Sequence, residues 1–244
     1  MNNNNEILIK LYESFSNIEN VFNLIEEPLD IKIQREYFEY PRKNLENYNS
    51  EEIIKQSQKI FNKKTSLKNK KEILIKLALS GDIKAYNIIK KYLQIADNNL
   101  KDWAKLALKE NQIIREGKIL DEARILIHSP LGGKGLKLRY SCVFILKSKY
   151  NFDDFEKKVI NNEIKIISKK NFSELEEIDY INELCLFQLL IPIFVNVRNM
   201  LNEIVKEINT YGNFIFNDYL ISNEIKFDAD YVREILDIYY KKLK

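Results

Sequence analysis

The sequence predicts an α+β protein in two parts: a helical domain over residues 1–125 and a small α+β domain over residues 126–244, with strands and helices in the order β-α-β-α-β-α. Two observations carry this expectation. Up to about residue 125 the apolar residues recur at helical spacing, whereas after Leu126 runs of period-two alternation appear between helical segments. The composition, 45% hydrophobic and 31% charged over 244 residues, suffices for a buried core and is not that of a disordered chain.

In the first part, Ile7, Leu8, Leu11 and Phe15 share a helical face that Ile18, Val21, Phe22 and Ile25 continue. Pro28 and Pro41 bracket a short irregular or extended connection. Asn49 and Ser50, followed by Glu51 and Glu52, read as a helix start, with acidic groups at the positive end of the dipole. Lys63 to Lys71 is the most polar stretch and is expected to be an exposed connection. A helix from Ile73 then ends at Gly81, Asp82 caps a second over residues 83–93, and Asp97 opens a third that turns Leu100, Trp103, Ala104 and Ala107 inward. This pattern, over about residues 70–110, resembles a HEAT-type repeat hairpin. No second copy follows at the repeat period, so a long solenoid is not expected.

In the second part, Leu138 to Lys147 is β-rich. Tyr140, Cys142, Phe144 and Leu146 fall on one face, with Val143 and Ile145 on the other. Asp153 to Asn161 reads as a helix with Phe155 and Val159 inward. Residues 178–193 read as one strand region ended by Pro192. A helix from Val197 stops at Gly212, Phe214 to Ser222 is extended, and Asp228 caps a last helix.

Composition also excludes several classes. The longest apolar run, Leu184 to Val195, is broken by Gln188 and Pro192 and falls short of the ~18–20 residues that span a bilayer, so no membrane association is expected. The N-terminal Met1 to Glu6 has neither a basic nor an apolar signal region, which predicts a cytoplasmic protein. One histidine and two cysteines cannot complete a four-ligand zinc site, so neither a metal nor a cofactor is expected. Cys142 and Cys185 lie in apolar segments and read as buried free thiols.

The net charge of +3 conceals a sharp asymmetry. Residues 1–54 hold 5 basic and 11 acidic residues, and residues 55–91 hold 11 basic and 2 acidic. Lys63, Lys64, Lys70 and Lys71 mark a basic surface suited to an acidic partner.

Three of the six glycines and the only histidine fall between His128 and Gly135. Glycine reaches positive φ at little cost, so Gly132-Gly133-Lys134-Gly135 can turn backbone N–H groups inward, with Lys137 and Arg139 adding charge for an anion. A turn whose glycines serve geometry alone is the competing reading. The segment is no Walker A loop, because Leu136 follows Gly135 and a strand comes next. His128 is a candidate acid or base, although Ser129 beside it points to the opposite face of a strand. Glu174 to Asp179 reads as a solvated acidic stretch without calcium-loop spacing. Tyr140 and Phe144, beside Arg139, could stack nucleobases or pack into the core.

Leu131 to Tyr140, Leu190-Ile-Pro-Ile193 and Asn209-Thr-Tyr-Gly-Asn-Phe214 are similar to segments of an uncharacterised bacterial protein family whose members carry the HEAT-like hairpin upstream. The resemblance spans about residues 73–234. It implies the bipartite fold and brings no activity, ligand or catalytic residue.

These features predict a non-enzymatic binding or scaffold protein that recognises an acidic macromolecule, RNA or a ribonucleoprotein ahead of an acidic protein. The alternatives are an enzyme acting on a phosphorylated small molecule at the Gly-Gly-Lys-Gly segment, and an assembly subunit engaging only protein partners.

Overall fold

A computed structural model describes residues 21–42, 50–147 and 151–242. It is a mixed α+β protein whose chain separates into two compact units meeting at Pro130 and Leu131. The expected helix around Ile7 to Phe15 lies outside the described residues.

In the unit ending at Pro130, Phe22–Leu24 (β1) is a strand, not the end of a helix. It pairs in parallel with Ile125–Ile127 (β2), and Ile25 N–H extends the ladder by donating to Ile127 O at 3.0 Å. The segment between the prolines is also helical: Ile31–Glu39 (α1) starts where Asp30 accepts from the backbone N–H groups of Lys32 and Ile33. Ser50–Ser57 (α2) passes into a 3₁₀ turn, Gln58–Phe61. Leu67–Ser80 (α3) begins at the Ser66 cap, so Lys70 and Lys71 are helical and do not belong to an exposed connection.

Gly81, at φ 58°, ends α3, and Asp82 caps Ile83–Leu93 (α4). Gly81 suits this place because a Cβ there would meet Ile114 Cγ2 at 2.7 Å. Asn98–Leu120 (α5) is the longest helix of the unit and packs against α1, α3 and α4. Its buried face carries Leu100, Trp103, Ala104 and Ala107 into one core with Tyr37, Ile60, Leu74, Leu77 and Ile89.

A polar tie joins α5 to α1. Tyr37, fully buried, donates to Glu110 Oε2 at 2.5 Å, and Arg42 donates to Glu110 Oε1 at 2.5 Å and to Tyr37 O at 3.2 Å. Burial first, then the Glu110 carboxylate, pushes the Tyr37 phenol well above its ordinary range, so it stays a donor.

In the second unit, Gly133–Lys134 (β3) and Lys137–Ile145 (β4) form a hairpin. The helix Asp154–Lys170 (α6) runs on to Lys170 from a capping box between Asp153 and Glu156. Its Val159 is buried, but Phe155 is exposed, contrary to expectation, because the inward stripe is Val159, Ile160, Ile164 and Ile167. The single strand expected over residues 178–193 is two: Glu174–Ile181 (β5) and Leu184–Pro192 (β6), joined by a two-residue turn with Asn182 at φ 55°. Val197–Thr210 (α7), Leu220–Ser222 (β7) and Ala229–Lys242 (α8) complete the unit.

The order from β4 is therefore β-α-β-β-α-β-α, which corrects the simple alternation. Strands β4 and β6 pair antiparallel over nine residues at the centre. β5 flanks β6, while β3 and β7 pair with β4. This is the split-βαβ, ferredoxin-like plan followed by one extra helix. Period-two alternation sorts the sheet. Cys142, Phe144, Cys185, Phe187 and Leu189 face α6 and α7. Val143, Ile145, Leu184 and Leu186 face α8 through Ala229 and Val232.

Replacing Glu110 by Ala leaves the buried Tyr37 hydroxyl and Arg42 without their acceptor. We expect a loss of about 2–4 kcal/mol of stability, measured by urea unfolding. A loss below about 0.5 kcal/mol, the scale of an ordinary surface change, would show that this tie does not hold α1 to α5.

Candidate functional site

The glycine-lysine segment is a tight hairpin. Lys134 pairs with Lys137 across the two-residue turn Gly135-Leu136, and Arg139 N–H donates to Gly132 O at 3.1 Å. Gly132 and Gly135 have φ of 69° and 56°, and Gly132 and Gly133 are buried. Lys134 is exposed.

The neighbouring cations are engaged within the sheet. Reaching across β6, Arg139 binds Glu176 with Nε at 2.5 Å and Nη2 at 2.8 Å, and its Nη1 donates to Leu131 O at 2.7 Å. Lys137 pairs with Glu174. That hydrogen bond holds the Glu174 carboxyl below its ordinary range, and Glu176 holds Arg139 in its charged form. Gln188 and Lys226 both donate to Glu177, at 3.3 and 2.6 Å. The acidic stretch of β5 thus pairs with Lys137 and Arg139, two of the cations expected to clamp an anion, and leaves Lys134 exposed.

His128 belongs to the other unit. Its ring stacks on Phe38 with centroids 4.2 Å apart. Nδ1 lies 3.0 Å from Gln34 Oε1, and Gln34 Nε2 donates to Leu29 O and Ser129 O. Because the Gln34 amide is fixed by two carbonyls, its oxygen faces the histidine and selects the tautomer protonated at Nδ1. Tyr140 and Phe144 face the helix-covered core, Phe144 completely buried.

The four lysines of the expected basic surface divide in two. Lys70 is buried, 7% exposed, with its ammonium 5.8 Å from the Tyr92 ring centroid. Lys71 pairs with Glu36 at 2.6 Å and sits 4.5 Å from the Trp103 centroid. These two belong to the packing. Lys63 and Lys64 are exposed and form no ion pair with a described residue. The same holds for Lys59, Lys68, Lys84, Lys90 and Lys91 on the adjoining helical segments. The two acids of this region are committed locally: Glu72 pairs with Lys76 at 2.6 Å, and Asp82 accepts from Lys84 N–H at 2.6 Å as a cap. Phe61 and Tyr92, whose rings lie 6.0 Å apart, bring the turn carrying Lys59, Lys63 and Lys64 beside the end of α4 carrying Lys90 and Lys91.

Sequence reasoning missed a third feature. A groove of about 580 Å³ lies between the first turns of α7, the segment 217–223 and Tyr140 of β4. Arg198, Asn202, Asn217, Asp218, Tyr219 and Ser222 line it. They come from segments far apart in sequence, so no local motif announces them. The adjacent polar pair Asn217 and Asp218 was the one local signal.

Among the described residues no cluster of His, Cys, Asp and Glu could hold a metal ion, and no helix is long and apolar enough to cross a membrane. Cys142 and Cys185 are buried free thiols whose burial raises their pKa values.

Burial holds the His128 pKa below its ordinary value near 6.5. The folded state therefore prefers the neutral ring. Its contribution to stability is complete above about pH 6.5 and is lost as pH falls through the lower folded value. As the only histidine, it gives one imidazole resonance to follow by NMR. We expect a midpoint below 6.5 in the folded protein and a pH-dependent loss of stability that His128→Asn removes. A midpoint above 6.5 would contradict this environment.

No protein-family model matches the chain, and no curated protein matches it. Among solved structures it is similar to a protein from Deinococcus radiodurans described as a candidate transposase, with 12% identity and a TM-score of 0.33, over 43% of this chain and 90% of that one.

Proposed function

We propose that this protein is a non-enzymatic binding or scaffold protein whose helical unit recognises an acidic macromolecule, with RNA as the favoured partner. One observation carries the reading: the exposed lysines from Lys59 to Lys91 lack acidic partners, because Glu72 and Asp82 are already committed. Unneutralised ammonium groups at this density attract phosphates through counterion release, a sequence-independent affinity. The α3, α4 and α5 helices pack on one another, and we read them as a HEAT-like platform for such contacts. The enzyme reading at the glycine-lysine turn has less support, since Glu176 and Leu131 O occupy the Arg139 fork.

We further propose that the two units are separately folding domains, with the junction near residue 130 in place of 125, because β2 completes a strand pair with β1. Limited proteolysis should yield two protected fragments that meet between about residues 128 and 132, the connection between β2 and β3 that carries Pro130. Protection running unbroken through that interval would end this proposal.

Binding of a single-stranded RNA, followed by fluorescence anisotropy, should fall steeply between low and physiological salt. Replacing Lys63, Lys64, Lys90 and Lys91 by Gln should reduce the salt slope by about 3, taking ~0.7 per phosphate contact, and leave Tm unchanged. Lys70→Gln and Lys71→Gln should lower Tm instead. Absence of RNA binding at low salt would sink the proposal and leave protein-only assembly as the reading.

A further inference from the structure

We propose that the groove between α7 and β7 binds a phosphorylated sugar. The inference rests on which atoms the fold leaves unused there. The Asn209 side-chain oxygen accepts from Ile215 N–H at 3.1 Å, which fixes the Asn209 amide so that its nitrogen donates to Ile215 O at 3.0 Å and Asn217 Oδ1 at 3.1 Å. The oxygen of Asn217 is therefore engaged, and its NH₂ remains for a ligand. The Tyr219 hydroxyl lies 3.0 Å from Asn202 Oδ1 and 3.3 Å from Arg198 O, and donation to the nearer leaves the Asn202 NH₂ in the same position. Ser222 Oγ accepts from the backbone N–H groups of Glu224 and Ile225, each at 3.0 Å, so its own proton points elsewhere. The Tyr140 hydroxyl has no partner among the described residues.

Beside the apolar Val197 and Ile221, the groove thus offers spare donors. Arg198 adds the one cation and Asp218 the one anion, and neither forms an ion pair with a described residue. Donor-rich walls with a single guanidinium match an acceptor-rich anion, and the planar Arg fork suits phosphate oxygens. A bare phosphate would leave Asp218 without a role and would be repelled by it. A ligand carrying hydroxyl donors beside its phosphate satisfies both charges: phosphate to Arg198 and the two amides, hydroxyls to Asp218. The volume of about 580 Å³ falls in the range of small-molecule sites, ~300–1,000 Å³, and fits a phosphosugar, with room for a base attached to it. The site is independent of the lysine surface proposed for RNA, and no reaction is assigned to it.

The test uses the full chain, titrated with ribose 5-phosphate, ribose and inorganic phosphate, and followed by calorimetry and by NMR of the side-chain amides. We expect saturable binding of ribose 5-phosphate, shifts at Asn202 and Asn217, and binding of ribose and of phosphate at least about ten-fold weaker. Arg198→Ala should cost about ten-fold or more in affinity for ribose 5-phosphate with Tm unchanged, since the side chain is exposed. Asp218→Ala should weaken ribose 5-phosphate while strengthening inorganic phosphate. The Lys63, Lys64, Lys90 and Lys91 variants should leave all three titrations unaltered, which separates this site from the RNA surface. Lack of saturation, no shift at Asn202 or Asn217, or full affinity in Arg198→Ala would overturn the proposal. So would an Asp218→Ala variant that changes both ligands alike, which would mark an anion site without sugar recognition.

Discussion

The nine-residue antiparallel ladder between β4 and β6 is the constraint on which the second unit depends. It is buried on both faces, so a one-residue slip would exchange Phe144 and Phe187 with Val143 and Leu186 and misfit two cores at once. With register fixed in this way, the candidates on β4 receive their positions by parity. Even-numbered Tyr140 is delivered to the helix side, where it becomes one wall of the groove. Odd-numbered Arg139 is delivered to the other side, where Glu176 awaits it across β6. Two adjacent residues of one strand thus enter wholly different chemistry.

The helical unit shows the same competition between fold and surface among its lysines. Charge counting along the chain treats Lys63, Lys64, Lys70 and Lys71 as equivalent, yet helix geometry does not. Once Ser66 caps α3, Lys70 and Lys71 fall on successive positions of a helix whose inner face meets Tyr92 and Trp103. Their stems pack, and their ammonium groups lie over aromatic rings in place of water. Lys63 and Lys64 precede the cap and are released to solvent. The unneutralised field is consequently spread over the 3₁₀ turn and α4, wider than the original four residues implied.

Elements were legible in the sequence where a local rule sufficed. Gly81 and Asp82 mark a helix stop and start through backbone conformation and a side-chain cap, and the alternation from Tyr140 to Leu146 assigns both faces of β4. The misreadings have two causes, a deciding partner that is distant and a local signal passed over. Phe22–Leu24 continues a helical pattern locally, and only pairing with Ile125–Ile127, a hundred residues on, makes it a strand. The segment between Pro28 and Pro41 was read from its flanking prolines, although Asp30 supplies a sufficient cap for α1. Asn182 was the missed signal for the β5–β6 turn: asparagine tolerates the left-handed region better than most non-glycine residues, and the extended segments on either side of it are each long enough for a strand.

The candidate sites divide along the same line. Glycine density at Gly132 to Gly135 was visible, and the positive φ of Gly132 and Gly135 serves the approach to the hairpin and its turn. A cation near a turn has meaning only when the acids facing it are known, and those facing Arg139 come from β5, two strands away. Arg198 is the instructive contrast. It sits in no glycine-rich segment and in no basic cluster, yet apart from Asp218 the polar side chains around it have acceptors engaged in the fold, through Asn209 on Asn217, Tyr219 on Asn202 and two backbone N–H groups on Ser222. Saturated acceptors leave donors exposed. A binding preference can therefore be written by intramolecular hydrogen bonds rather than by any residue type, and such a preference becomes readable only when each atom's partners are known.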